Sequence, residues 1–179
     1  KGNKAWDNSL DVSYGIVSLD GADFIKSDDR IELNSKYGQQ FKKNKKWYYG
    51  GLLNFRTQFA PGFNYETDPV ETRTLLSRIM SPAYLTAALG FDYKPNNNLS
   101  VFIAPLSYRG TFVLDDNLNS IGAFGVDSNS NLRHEVGGLL MVKYQKANIF
   151  KIKNVDFKTQ ATFFSNYLDR PENIDVLWD

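Results

Sequence analysis

Between Lys45 and Phe59 the segment KKWYYGGLLNFRTQF alternates with a period of two. Trp47, Tyr49, Gly51, Leu53, Phe55, Thr57 and Phe59 fall on one side; Tyr48, Gly50, Leu52, Asn54, Arg56 and Gln58 fall on the other. Successive side chains of a β-strand point to opposite faces, so this period predicts a strand. One face is apolar with aromatic residues at both ends, and the other carries an arginine and two amides. The run is about 13 residues, long beside the roughly 5–6 of a soluble strand. A membrane-spanning barrel strand needs about 9–11 tilted residues with ring anchors at each interface, and this stretch supplies them.

The pattern recurs along the chain. Trp6, Leu10, Val12, Tyr14 and Ile16 oppose Asp7, Ser9, Asp11 and Ser13, up to the turn residues Asp20-Gly21. Ile31, Leu33, Tyr37 and Phe41 then oppose Arg30, Glu32, Asn34 and Lys36, and the polar segment 42–46 makes a hairpin with the Trp47 strand. Ala83, Leu85, Ala87, Leu89, Phe91 and Tyr93 oppose Thr86, Gly90, Asp92 and Lys94 before the turn signal Pro95-Asn96-Asn97-Asn98. Leu99, Val101 and Ile103 follow. Pro105 cannot donate to a ladder, which predicts a bulge or kink there with a change of phase. Val136, Gly138, Leu140, Val142 and Tyr144 form another strand, although Leu139 and Met141 interrupt its polar side. The next sets Val155, Phe157, Thr159, Ala161, Phe163 and Tyr167 against Asp156, Lys158, Gln160 and Asn166, and Ile174, Val176 and Trp178 open one more.

Connections alternate in length. Segments 42–46, 95–98 and 147–154 are short. Segments 60–82 and 115–133 are long, the first with a short helix expected near Val70–Met80. Bacterial outer-membrane barrels pair short periplasmic turns with longer external loops, which would make the two long segments extracellular. Tyr37, Phe41, Trp47, Tyr49, Phe91, Tyr93 and Tyr144 would then gather at the periplasmic rim. No apolar run reaches the roughly 18 residues of a spanning helix. A net charge of +1 gives no reason to expect nucleic acid, and a chain without cysteine has no disulfide or thiolate metal site.

Several segments carry a resemblance: WDNSLDVSYG, DDRIELNSKYG, WYYGGLLNFRTQFAPGFNY, SPAYLTAALGFDYKPNNNLSVFIAP, GAFGV and FFSNYLDRPENIDVLW. Together they resemble an uncharacterised, Bacteroidota-type family of outer-membrane barrels known only as a domain of unknown function. The resemblance implies an antiparallel barrel in the outer membrane and brings no catalytic residue. It also implies further strands beyond NIDVLW. The expectation is therefore one barrel domain over residues 1–179, incomplete at its C-terminal end.

Arg30, Glu32, Lys36, Arg56, Asp92, Lys94, Asp156 and Lys158 are the candidate lumen-facing charges. Both signs occur in similar number, so mutual compensation fits them better than the single-sign ring of an ion-selective pore. His134 is the lone histidine, with Asp127, Ser128, Ser130 and Glu135 nearby in sequence but without a hydrolase motif. Asp127 to Asn131 echoes half a calcium loop, but Leu132 and Gly138 stand where that loop needs glycine and glutamate, so a polar loop is the better reading. The sequence thus predicts an all-β, antiparallel, up-and-down transmembrane barrel in a Gram-negative outer membrane. Its expected role is non-enzymatic, as a scaffold or accessory subunit meeting lipid and other outer-membrane subunits, without cofactor, metal or nucleic acid. A passive channel for small solutes and a soluble lipid-binding barrel are the alternatives.

Overall fold

Alternation becomes strand wherever the sequence carries it. The computed structural model describes residues 3–18, 24–64, 73–148 and 155–178. Its strands are β1 (Lys4–Val17), β2 (Ile25–Gln40), β3 (Trp47–Thr57), β4 (Gly62–Phe63), β5 (Leu75–Ser77), β6 (Ala83–Tyr93), β7 (Leu99–Phe112), β8 (Leu132–Lys146), β9 (Phe157–Asn166) and β10 (Ile174–Trp178). Eight of them form one sheet in the order β1-β2-β3-β6-β7-β8-β9-β10, with every pair antiparallel. The sheet is a meander curled into a half-barrel, and the small β4–β5 hairpin is inserted between β3 and β6. Its edges remain apart: among the described residues β1 pairs with β2 alone and β10 with β9 alone.

Registers carry the alternation across the sheet. One row runs Leu10, Leu33, Phe55, Leu85, and the adjacent row on the opposite face runs Asn34, Asn54, Thr86, Arg109, Glu135. The second face is the concave one. On a flat sheet the step from β7 to β10 would be about 14 Å, at roughly 4.8 Å per strand. Arg109 on β7 nevertheless reaches Asp175 on β10 at 2.7 Å. Likewise Lys36 on β2 lies 4.8 Å from the ring centre of Phe102 on β7, with β3 and β6 between them in the sheet. Curling draws those side chains together and splays the opposite set outward. Ala88, Phe102, Ala104, Leu139 and Phe164 are accordingly buried in a belt across the concave waist, flanked by Leu52 and Met141. Leu10, Leu33, Leu53, Leu89, Phe91 and Ile103 stand exposed on the convex side.

Proline acts where the sequence places it. The β7 registers shift between Ala104 and Ser107, leaving Pro105 and Leu106 opposite a single residue, a β-bulge. Before it Phe102 and Ala104 face inward; after it Ser107, Arg109 and Thr111 do. The long segments carry more structure than loops. The helix expected near Val70–Met80 is not what forms at its described end: Leu75–Ser77 is strand β5, paired with β4, while residues 65–72 lie outside the described set. Segment 115–133 holds helix α1 (Asp116–Ser120), whose first N–H groups are capped by Asp115, and a single 3-10 turn at Ala123–Gly125. Val113, Leu118 and Val126 bury one another there, against Leu75 and Ala123. Turn Asp20-Gly21 and most of segment 147–154 fall outside the described residues.

Candidate functional site on the concave face

Several charges on the concave face are held in place by partners. Asp92 on β6 pairs with Lys36 at 2.7 Å and Lys94 at 3.4 Å, and it accepts a hydrogen bond from Ser100 Oγ at 2.6 Å. Two strands away, Glu32 lies 3.9 Å from Arg30 and accepts from Asn54 Nδ2, which also donates to Asn34. Arg56 stacks over the Tyr84 ring at 5.1 Å. Arg30, Glu32, Lys36, Arg56, Asp92 and Lys94 thus share one face by register, as their even positions require. Lys158 joins them at the end of β9, opposite Gln145. Asp156 lies in the turn before β9 and accepts a hydrogen bond from the Asn148 N–H at 3.2 Å, so it caps the turn instead of lining a strand.

A second cluster escaped the sequence reading. Arg109 bonds Glu135 through two nitrogens, reaches Asp175 and lies 4.1 Å over the Phe164 ring, while Arg133 binds Glu135 at 3.2 Å. Two effects hid it. Arg109 lies beyond the Pro105 phase change, and Arg133 and Glu135 read as the end of a polar loop until β8 is seen to begin at Leu132. A third network ties the long-loop end together: Lys26 Nζ donates to Asp29, Gln58 and the Ala60 carbonyl at 2.9–3.0 Å, and Ser77 Oγ donates to Gln58. It anchors β5 to the sheet.

His134 points to the convex face, since its neighbour Glu135 faces inward, and its ring nitrogen meets Tyr108 Oη at 3.0 Å. Asp127 caps the Asn129 N–H, and Ser130 Oγ donates to the Leu132 carbonyl. Among the described residues no hydrogen bond joins these loop groups to His134.

Toward the short-turn end the concave face opens into a basin of about 910 Å³. Lys36, Lys45, Lys46, Lys94 and Lys143 line it together with the carboxylates Asp7 and Glu32 and amides such as Asn97, Asn98 and Gln160. The aromatic residues expected at one rim do assemble on the convex side of this end. Phe41 meets Tyr49 at 5.5 Å and Phe91 at 6.3 Å, and Trp47 meets Tyr93 at 4.8 Å. Tyr144 lies 6.2 Å from Phe157, and Trp178 Nε1 donates to Thr159 Oγ1 at 2.7 Å.

A model of a family described as a protein of unknown function (DUF3078) matches residues 1–63, which spans β1 to β4. That stretch is similar to an uncharacterised domain. No curated protein and no solved structure matches the chain.

Proposed function

We propose that this chain forms part of the wall of a β-barrel in a Gram-negative outer membrane, of the Bacteroidota type its segments resemble. Its role there is non-enzymatic, as a scaffold or accessory subunit of a larger assembly. One observation carries the reading: the convex face of the sheet is apolar and exposed from strand to strand, while the concave face carries the charged and amide side chains, many of them paired with one another. An apolar surface of that extent in water would be an association site, and hydrocarbon removes the penalty. The dimensions agree. The 11 residues of β3 extend roughly 36 Å, and a tilt near 45° reduces this to about the 25 Å apolar band of an outer-membrane barrel. Aromatic pairs stand at both ends of that band, with Tyr14 against Phe59 at one and Trp47 against Tyr93 at the other.

A soluble lipid-binding barrel needs the reverse arrangement, with its apolar side chains converging inward. The waist belt around Phe102 and Phe164 also argues against a wide aqueous pore, so the scaffold reading is preferred to the passive channel. Strand edges cannot face hydrocarbon, because an unpaired backbone group there costs several kcal/mol. The edges at β1 and β10 therefore call for neighbouring strands, supplied by more of this chain or by another subunit.

Refolding from urea into phosphatidylcholine vesicles tests the proposal. Strand circular dichroism should appear with lipid, and the folded form should shift on gels after heating. A monodisperse, fully folded protein in lipid-free, detergent-free buffer would overturn it.

A further inference from the structure

Charge is balanced over the chain, at +1 net, but it is segregated along the strand direction. Toward the long loops arginines meet carboxylates: Arg109 and Arg133 share Glu135, Arg109 also holds Asp175, and Arg30 lies beside Glu32. Toward the short turns the balance fails. Asp92 alone serves both Lys36 and Lys94. Five lysines, Lys36, Lys45, Lys46, Lys94 and Lys143, line the basin against two carboxylates, Asp7 and Glu32, and Lys45, Lys46 and Lys143 have no ion pair among the described residues. The cause lies in the sequence. Turn 42–46 carries four lysines around one asparagine, and alternation sends Lys46, Lys94 and Lys143 inward from β3, β6 and β8.

We infer that this basin is an anion-binding vestibule, taking a small solute that bears phosphate or clustered carboxylates. Ammonium groups that outnumber the carboxylates around one basin repel one another, and a bound anion relieves that repulsion. Lysine suits the task because its compact charge meets a phosphate oxygen from any direction, without the planar match arginine requires. Amide side chains of Asn97, Asn98 and Gln160 line the same walls and offer neutral donors. A basin of about 910 Å³, open to solvent, selects by charge more than by shape. The inference deepens the barrel reading by giving its lumen an electropositive mouth, but binding itself needs only the concave face.

Titrating inorganic pyrophosphate calorimetrically into the folded chain, in zwitterionic detergent, tests it. Saturable binding is expected, weakened roughly tenfold or more by Lys45→Gln, Lys46→Gln and Lys143→Gln together. Lys42→Gln, Lys43→Gln and Lys146→Gln remove the same charge from the same rim outside the basin and should change affinity less than about twofold. Lys143→Gln alone, read the same way, serves should the triple variant not fold. Absence of saturable binding, or equal weakening by both triple variants, would overturn the vestibule. Repeating the titration in vesicles separates sources: competition by phosphatidylglycerol would mark a lipid headgroup as the ligand, and indifference to it a free solute, the site standing in both. If the chain proves water-soluble the same titration runs in buffer, so failure of the membrane reading is seen separately.

Discussion

Asp92 is only 5% exposed and faces two ammonium groups. A buried carboxylate persists because its partners offset the loss of hydration, and removing it strands Lys36 in a half-buried site. Asp92→Asn is expected to lower stability by about 1–3 kcal/mol, read from the urea midpoint. Adding Lys36→Met should recover part of that loss, and an unchanged midpoint in the single variant would show the pair to be inert. Leu53 and Asn54 make a second comparison, because they are neighbours on β3 with opposite surroundings. Leu53 is 40% exposed on the convex face. Asn54 donates to Glu32 and Asn34 on the concave one. Arginine at Leu53, which the proposed barrel would set near mid-membrane, should cost about 2–4 kcal/mol, and much less at Asn54, where Glu32 can receive it. Equal losses, measured as heat-shifted gel mobility over a urea series, would contradict the facing assigned to both.

At the scale of elements, the β6–β7 pair shows how local chemistry sets strand geometry. Gly90 lies where the bulge at Pro105 brings β7 against β6, and a Cβ there would overlap the Ile103 carbonyl oxygen and crowd the Ala104 Cα. Backbone atoms cannot rotate away as a side chain can. Gly90→Ala should therefore destabilise by more than about 2 kcal/mol and speed amide exchange around Ile103 and Ala104. Gly38→Ala, which meets only the Tyr48 side chain at ordinary distance, should cost far less, and equal effects would remove the bulge explanation. These elements also mark what a sequence can tell. Strands with one polar and one apolar side, such as β2 and β3, are legible because their period and their facing coincide. The bulge was legible from Pro105 because a missing N–H acts locally. Leu139 and Met141 looked like noise on β8 because they answer to Phe164 and Phe102, residues distant in sequence that strand pairing sets directly opposite them. Strand β5 was misread for the same kind of reason: three residues carry no period, and pairing with Gly62–Phe63 decides their state. In the candidate site the Asp92 group followed from alternation, while the Arg109 cluster needed the register after the bulge.

Most of the described molecule is one curved sheet whose two faces have opposite chemistry. Curvature gives the polar face its partners, since Arg109 could not reach Asp175 across a flat sheet, and it leaves the apolar face with none. A soluble protein covers such a face with a second layer. The central claim is that lipid covers it here, and single spin labels test this directly because a cysteine-free chain allows one label at a time. Labels would be placed in turn at Tyr49 and at residues 52 to 56 on β3, leaving out Gly50 and Gly51 where an added side chain meets neighbouring atoms, with the protein refolded into phosphatidylcholine vesicles. Accessibility to oxygen, which concentrates in hydrocarbon, would be compared with accessibility to a polar nickel chelate. The account predicts a period of two, with oxygen favoured at Tyr49, Leu53 and Phe55 and the chelate favoured at Leu52, Asn54 and Arg56. High chelate accessibility at Leu53 and Phe55 with no oxygen preference would contradict it.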